Sequence, residues 1–381
     1  MNIDFNALTS AGLAGAMKIR QILPSAVARA ARLDGTSELA AMLAERTSCL
    51  TMLAGSGSRW VSSLTEAQAN GGFAEIDPAA PRGLFPVYNA MGFGPDPVPI
   101  AGYALAAVRD LGRHLLVVRG WEREIVDRIL RPLSYAADSW EFATQDAPGG
   151  KPRGHGAAAL QTMDLWDGSE YVLVNFGGDS SSPLTALSSL AVMYALTGQL
   201  GDDAPGLLMP AAFVDEPAYP ILLDDQGLPR RFGHAKLQGS PSAAPTPSEV
   251  TASAATMFAS AGCVRGGYTN VGVRVYRASE LKRAIERLRR EYWTADRGWA
   301  IPGNAPAGDD PAGGEFALDN VDALLASEGK ARLLAVARPE ELSPVKSLED
   351  LPRFRRDIAL VCSDWAVLAD YSNSGLGLEK K

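Results

Sequence analysis

Apolar positions along this chain fall into two alternating patterns. Unbroken short runs at Cys49-Leu50-Thr51-Met52, Leu115-Leu116-Val117-Val118 and Tyr171-Val172-Leu173-Val174-Asn175-Phe176 read as buried strands, and Glu141-Phe142-Ala143 as a shorter one. Between them Ile100 to Leu111, Trp121 to Leu130, Gly156 to Leu165 and Leu187 to Thr197 read as helices. This alternation predicts an α/β domain with a mainly parallel central sheet flanked by helices. Ligands of such sheets gather beyond the carboxyl ends of the strands, so the glycine-marked strand ends at 55–59 and 177–179 are expected to face one crevice.

The rest of the chain is less regular. Residues 1–48 read as an alanine-rich helical extension, with amphipathic pieces at 26–33 and 37–45 and Thr36 or Ser37 as a cap. Residues 201–240 read as short strands and turns. A strand at 272–276, a charged helix from Ser279 to Tyr292, a helix near 318–328, a strand from Arg332 to Ala337 and a helix from Ser347 follow. The Pro-, Ser- and Ala-rich stretch 239–256 reads as a surface loop or mobile lid, and 301–314 as a second loose loop. Residues 361–381 read as a C-terminal tail. No internal repeat is visible.

Composition narrows the classes. The chain has 381 residues, 46% hydrophobic and 21% charged, with a formal net charge of −8. That acidity argues against broad nucleic-acid binding while leaving room for a local basic pocket. Three scattered cysteines, Cys49, Cys263 and Cys362, are too few for a disulfide framework or a zinc site and suit a reducing compartment. The first residues lack the cationic start of a signal peptide, and no uninterrupted apolar run approaches the length of a membrane span. The cytoplasm is the expected location, with no membrane partner. The oligomeric state stays open, a homo-oligomer included.

The segment Leu53-Ala54-Gly55-Ser56-Gly57-Ser58-Arg59-Trp60 carries the most chemistry. It follows a strand, turns on two glycines and closes on an arginine. Such a loop exposes several backbone N–H groups beside a permanent cation, which suits a polyphosphate. Read alone, it is first of all a plain structural turn.

Taken with the motifs that follow it in order, the segment resembles the sugar-1-phosphate nucleotidylyltransferases, also called NDP-sugar pyrophosphorylases, over roughly residues 49–355. The resemblance implies a Rossmann-like, GT-A-like nucleotidyltransferase domain at 49–360, with a nucleotide-binding part at 49–200 and a sugar-phosphate-binding part at 201–360. The first motif is similar to the family's L-A-G-G-x-G-T-R-L loop. By that likeness Leu53, Ala54, Gly55, Ser56, Gly57 and Ser58 hold the nucleotide, and Arg59 neutralises the leaving pyrophosphate. Pro81-Arg82-Gly83-Leu84-Phe85-Pro86-Val87 resembles P-K-x-L-x-P-V, with Arg82 in the lysine's place. Pro99 to Leu105 and Leu115 to Gly120 resemble a structural helix and strand. Gln145 with Gly154-His155-Gly156 resembles the element that reads a pyrimidine edge. A glutamine amide can pair with a uracil-type edge, so UTP is the expected nucleotide. His155 stands where a threonine is usual.

Val172 to Asp179 resembles V-L-V-x-x-G-D, which implies Asp179 as a ligand for Mg²⁺, with Gly178 near the sugar phosphate. The bland reading of Asp179 is a turn or helix cap. Lys236 falls where the family has a phosphate-contacting lysine, Asn270 matches N-x-G-x-x, and Glu315 matches the glutamate of G-E-Y-x-L-T-D. The resemblance assigns Asn270 and Glu315 to sugar hydroxyls and Arg59, Arg82 and Lys236 to catalysis. Bland readings are a turn asparagine, a glutamate at a helix N-terminus and a surface lysine. One departure stands out: Lys346 occupies the position of a second metal-ligating asparagine or aspartate. The implied reaction is Mg²⁺-dependent nucleotidyl transfer from an NTP, UTP by expectation, to a sugar-1-phosphate. A catalytically weak nucleotide or NDP-sugar sensor is the alternative. A glycosyltransferase ranks third, because Gly178-Asp179-Ser180-Ser181 offers one carboxylate and no D-x-D.

Overall fold

The structure, a computed structural model, describes residues 23–54, 57–145, 154–215, 217, 220–224, 227–232, 267–295, 298–301 and 314–364. Lys236, Cys263, Gly55, Ser56, the stretch 239–256 and most of 301–314 lie outside them. An eight-stranded sheet forms the centre. Its strands are β1 (Thr47–Met52), β2 (Arg113–Val118), β3 (Trp140–Thr144), β4 (Tyr171–Phe176), β5 (Leu207–Val214), β6 (Gly267–Asn270), β7 (Val273–Arg277) and β8 (Ala331–Leu334). Their pairings run β6-β5-β7-β4-β1-β2-β3, with β7 and β6 taking successive stretches of β5 and β8 pairing β5 as well. The four strands from the first half pair in parallel. β7 joins β4 and β5 antiparallel, β6 joins β5 antiparallel, and β8 joins β5 in parallel. The fold is therefore mixed α/β around a mainly parallel sheet.

The helices are α1 (23–30), α2 (Thr36–Ala44), α3 (Ser58–Ala69), α4 (Ile100–Val108), α5 (His155–Gln161), α6 (Pro183–Leu200), α7 (Ala278–Tyr292), α8 (Leu318–Ser327) and α9 (Leu351–Val361). They cover both faces of the sheet. On one face Leu50, Leu115, Val172 and Val174 pack with α5, α7 and α8 through Ala158, Leu281, Ile285, Val321 and Leu325. On the other face, Leu116 and Val118 pack with α3, α4 and α9 through Leu64, Leu105 and Phe354. Cys49, Tyr171 and Leu173 pack with α2 and α6 through Leu39, Leu43, Leu187 and Leu190. The helical segments before β1 thus share a core with the sheet.

Several element boundaries differ from the sequence reading, each for a local reason. α2 starts at Thr36 with Gly35 as its N-cap and no side-chain cap, so neither Thr36 nor Ser37 caps it. The helix expected from Gly156 to Leu165 breaks at Thr162, whose hydroxyl bonds back to the carbonyls of Ala158 and Ala159. The one expected from Trp121 to Leu130 becomes an α-turn, Glu122–Ile125, running into a π-turn, Val126–Leu130. α6 is longer than expected because Ser182 caps it and Pro183 opens it. By length and composition the helix from Pro183 to Asp203 could cross a membrane; here most of it lies buried inside the fold.

Candidate active site

Strands β1 and β4 end side by side, Met52 opposite Phe176, and the candidate site is built on those two ends. Beyond Met52 the chain continues along β2, the Leu53 N–H donating to the Val117 carbonyl at 2.8 Å. Leu53 and Ala54 are buried, so what they offer a ligand is backbone. Gly57 has φ 58°, a left-handed conformation that glycine adopts without a Cβ penalty, and it is the N-cap of α3. Ser58 is the first residue of that helix, whose first-turn N–H groups have no intrahelical acceptors and sit at the positive end of the dipole. Arg59, one residue on, is exposed.

Arg82 ties this loop to the second strand end. It opens a single turn of 3₁₀-helix, Arg82–Leu84. Its Cδ would lie 3.8 Å from a Cβ placed on Gly57, and its Nε and Nη2 2.6 Å from one placed on Gly178. The Nε–Nη2 edge of the guanidinium therefore faces Gly178, in space that only a residue without a side chain leaves open. Asp179 follows directly. Across from it the chain crosses from β6 to β7 at Val271-Gly272, and a Cβ on Gly272 would lie 2.5 Å from Asp179 Oδ2. The Val345 N–H donates to the Gly178 carbonyl at 3.0 Å, which brings Lys346 to the same strand end. Burial raises the Asp179 carboxyl above its ordinary pKa, and the charges of Arg82, Lys346 and Arg274 pull it back.

The expected metal can be weighed on this geometry. Among the described residues no three His, Cys, Asp or Glu side chains gather where they could hold an ion. Asp179 brings one carboxylate, and three cations bear on it. Mg²⁺ wants a shell of oxygens with negative charge close by, and a protonated lysine cannot be one of its ligands. Such a donor set would leave most of the shell of a Mg²⁺ to water and to the phosphates of a bound nucleotide.

The second half of the site lies across Phe176. Gln145 is buried, continues β3, and donates its side-chain amide to the Gly154 carbonyl at 2.9 Å. Gly154 has φ 92° and lies against the backbone of Phe316 and the side chain of Glu315. The N–H of Gly156 donates to the Phe316 carbonyl at 2.9 Å. His155 Nδ1 accepts the Leu318 N–H at 2.8 Å, and its Nε2 lies 3.5 Å from Asp319 Oδ2. The acceptor role at Nδ1 leaves the ring proton on Nε2, facing the carboxylate. The ring also meets the edge of Phe176 at 5.3 Å between centroids. Gln145, Gly154, His155 and Glu315 are thus brought together, with Asn270 buried at the end of β6 opposite Ala211. Exposed Glu315 and buried Asn270 sit in the region that the resemblance gives to the sugar.

Four residues that the sequence reading passed over hold the two halves together. Arg274 stacks over Phe176 at 5.4 Å and ion-pairs with Asp319 at 3.1 Å and Asp322 at 3.3 Å. The Tyr276 hydroxyl donates to Asp322 at 2.5 Å. Burial lowers the Arg274 pKa, but Asp322 and Asp319 outweigh it and hold the guanidinium firmly charged. Asp322 is itself pushed up to about 7 by burial, against the pull of Arg274. A signal for this cluster was present: an arginine in an apolar strand, Val273-Arg274-Val275, requires buried acids, and Asp319 and Asp322 stand three apart on one helix face.

No family model and no curated protein matches the sequence. The fold is similar to a crystal structure from Bacillus anthracis described as a glucose-1-phosphate thymidylyltransferase in complex with a sucrose. The match has a TM-score of 0.50 at 13% identity and covers 83% of this chain and 95% of that one.

Proposed function

We propose that this protein transfers a nucleotidyl group from an NTP, UTP in our reading, to a sugar-1-phosphate. The observation that carries the reading is the convergence of Gly57, Arg82, Gly178 and Asp179 at the adjoining ends of β1 and β4. The fold it shares with a protein named for glucose-1-phosphate thymidylyl transfer supports the same chemistry. A phosphate oxygen of the sugar-1-phosphate attacks the α-phosphorus of the NTP. The new P–O bond forms as the bond to the β-phosphate breaks, and pyrophosphate leaves with the electron pair. The nucleophile is already anionic, so the protein's work is positioning and charge neutralisation. Arg82 and Lys346, with Arg59 and Lys236 by resemblance, supply positive charge along the phosphates. Gln145 and the Gly154 backbone read the base, and Asn270 and Glu315 the sugar. We place the protein in the cytoplasm, without nucleic-acid or membrane partners.

The test is pyrophosphate release by purified protein given each NTP with a panel of sugar-1-phosphates, with and without Mg²⁺. UTP with one sugar-1-phosphate is expected to give the highest rate. Silence across the panel from a folded sample overturns the enzymatic reading. The sensor reading draws on one specific observation, Lys346 beside Gly178-Asp179, and predicts thermal stabilisation by nucleotide without turnover.

A further inference from the structure

We propose that His155 is a positioning residue for base recognition: it caps α8 from outside the helix, and that contact holds the Gly154 turn where Gln145 meets a base. The inference rests on the nucleotide-binding reading above and deepens it. The resemblance makes His155 one more nucleotide contact, and its surroundings give it a different task. Residues 154–157 dock on the segment 315–318 that leads into α8. The N–H groups of Gly156 and Ala157 both donate to the Phe316 carbonyl, at 2.9 and 3.3 Å. Neither glycine of the loop leaves room for a side chain. A Cβ on Gly154 would collide with the Phe316 carbonyl oxygen, and one on Gly156 would lie 2.9 Å from the same atom. Trp299 stacks on the Phe316 ring at 4.2 Å between centroids, and both are buried, so this seat is backed by the core.

Those bonds run backbone to backbone, and His155 adds a side chain to them. Leu318 is the first residue of α8, so its N–H is among the donors that have no acceptor within the helix. Ala317, at the N-cap, carries no side-chain oxygen for the first turn. His155 Nδ1 supplies an acceptor from another part of the chain, taking the Leu318 N–H at 2.8 Å. Its Nε2 lies 3.5 Å from Oδ2 of Asp319, the next residue of the helix, and Arg274 holds that carboxylate at 3.1 Å. Both ring nitrogens therefore meet α8. The neighbouring Gly154 carbonyl accepts the Gln145 amide at 2.9 Å. Seating His155 thus fixes the carbonyl that orients Gln145, and Glu315 belongs to the same docked segment.

The experiment is isothermal titration of the full chain with UTP, and separately with inorganic pyrophosphate, in Mg²⁺, with the melting temperature of each variant measured alongside. His155→Phe keeps a flat ring and removes the acceptor. It is expected to weaken UTP binding roughly three- to tenfold, the scale of one lost hydrogen bond, and to leave pyrophosphate affinity unchanged. His155→Asn is expected to recover most of the UTP affinity, because its Oδ1 is attached to Cγ as the imidazole Nδ1 is and can accept the same N–H. UTP affinity in His155→Phe equal to that of the parent overturns the inference and leaves the functional reading standing. An equal loss for UTP and pyrophosphate overturns it as well, since His155 would then be a general support of the fold. A His155→Asn variant as weak as His155→Phe also overturns it, by putting the imidazole itself on the base. A parent that binds UTP no more tightly than pyrophosphate removes base reading at Gln145 together with the inference, and one that binds neither removes the nucleotide-binding reading too. Should His155→Phe not fold, His155→Ala removes the same acceptor, and selective loss of UTP affinity is again the expected result.

Discussion

Two charged clusters lie near the end of β4, and they are built to opposite ends. On one side, at the ends of β1 and β4, the charges of Arg82 and Lys346 bear on the Asp179 carboxyl. On the other, Arg274 is 4% exposed and ion-pairs with two carboxylates, Asp319 and Asp322, which His155 and Tyr276 also meet. The first cluster lies at a strand end, where its cations can meet an anionic ligand. The second is closed on itself, and its role is to hold β7 against α8 and so place Gly272 behind Asp179. A buried ion pair of that kind contributes little net stability as a pair but is costly to break from one side. The contrast separates residues that bind from residues that set where binding happens.

The sharpest way to break the contrast is Arg274→Met. It leaves Asp319 and Asp322 buried without their partner, and a loss of about 3–5 kcal/mol is expected. Urea unfolding at pH 8 measures it. Repeating the experiment at pH 5 should recover part of the loss, since carboxyls stranded in the core can take up protons. An unchanged midpoint would show that the cluster does not hold the two elements together.

Arg82→Gln should do the reverse, leaving the unfolding midpoint almost unmoved while weakening pyrophosphate binding. One charge-assisted contact is worth about 1.5–3 kcal/mol, or roughly 10- to 150-fold in affinity. Gly178→Ala tests the same point without removing the charge. The new methyl displaces the guanidinium from its seat, so affinity should fall while the fold stays intact. Equal affinity in both variants and the parent would separate Arg82 from the ligand.

Gly154→Ala acts on the second half of the site. The position combines φ 92° with backbone contact from Phe316, and both oppose a side chain. A stability loss of about 1–3 kcal/mol is expected, with weaker UTP binding because the Gly154 carbonyl orients Gln145. If pyrophosphate binding is preserved while UTP binding falls, the two halves read different parts of the nucleotide.

One of these clusters stands out in the sequence and the other leaves only a faint signal, for physical reasons. Gly57, Arg82 and Asp179 lie in or beside turns, where glycine and charge stand out from apolar strands. Arg274, Asp319 and Asp322 lie inside regular elements, and their meaning depends on which strand β7 adjoins. The same holds for the fold. The parallel half, from Thr47 to Phe176, shows as clean apolar runs. β5 was masked by Pro210, which argues against a strand because it lacks an N–H. The structure tolerates it because β7 pairs only Leu207 and Leu208, and β6 takes over at Ala211, so no ladder donor is needed at 210 on that side. The long-range partner of the turn after β4, the Val345 to Gly178 bond, leaves no local trace at all.

The smallest expected effect concerns the closed cluster and its protons. Asp322 has an ordinary value of 3.8 and is pushed up to about 7, chiefly by burial, with Asp319 adding to the rise and Arg274 opposing it. The folded chain therefore holds a proton at Asp322 that the unfolded chain has released between about pH 4 and 7. That contribution to stability is fully present below about pH 4 and fades as the pH rises through 7. Asp322→Asn keeps a neutral group that can still accept the Tyr276 hydroxyl, and it no longer titrates. Melting temperatures of the two proteins between pH 5 and 8 should then diverge in one direction, the parent losing more stability than the variant as the pH rises. Parallel curves would mean that Asp322 stays charged throughout, and that Arg274 carries its two acids as permanent anions.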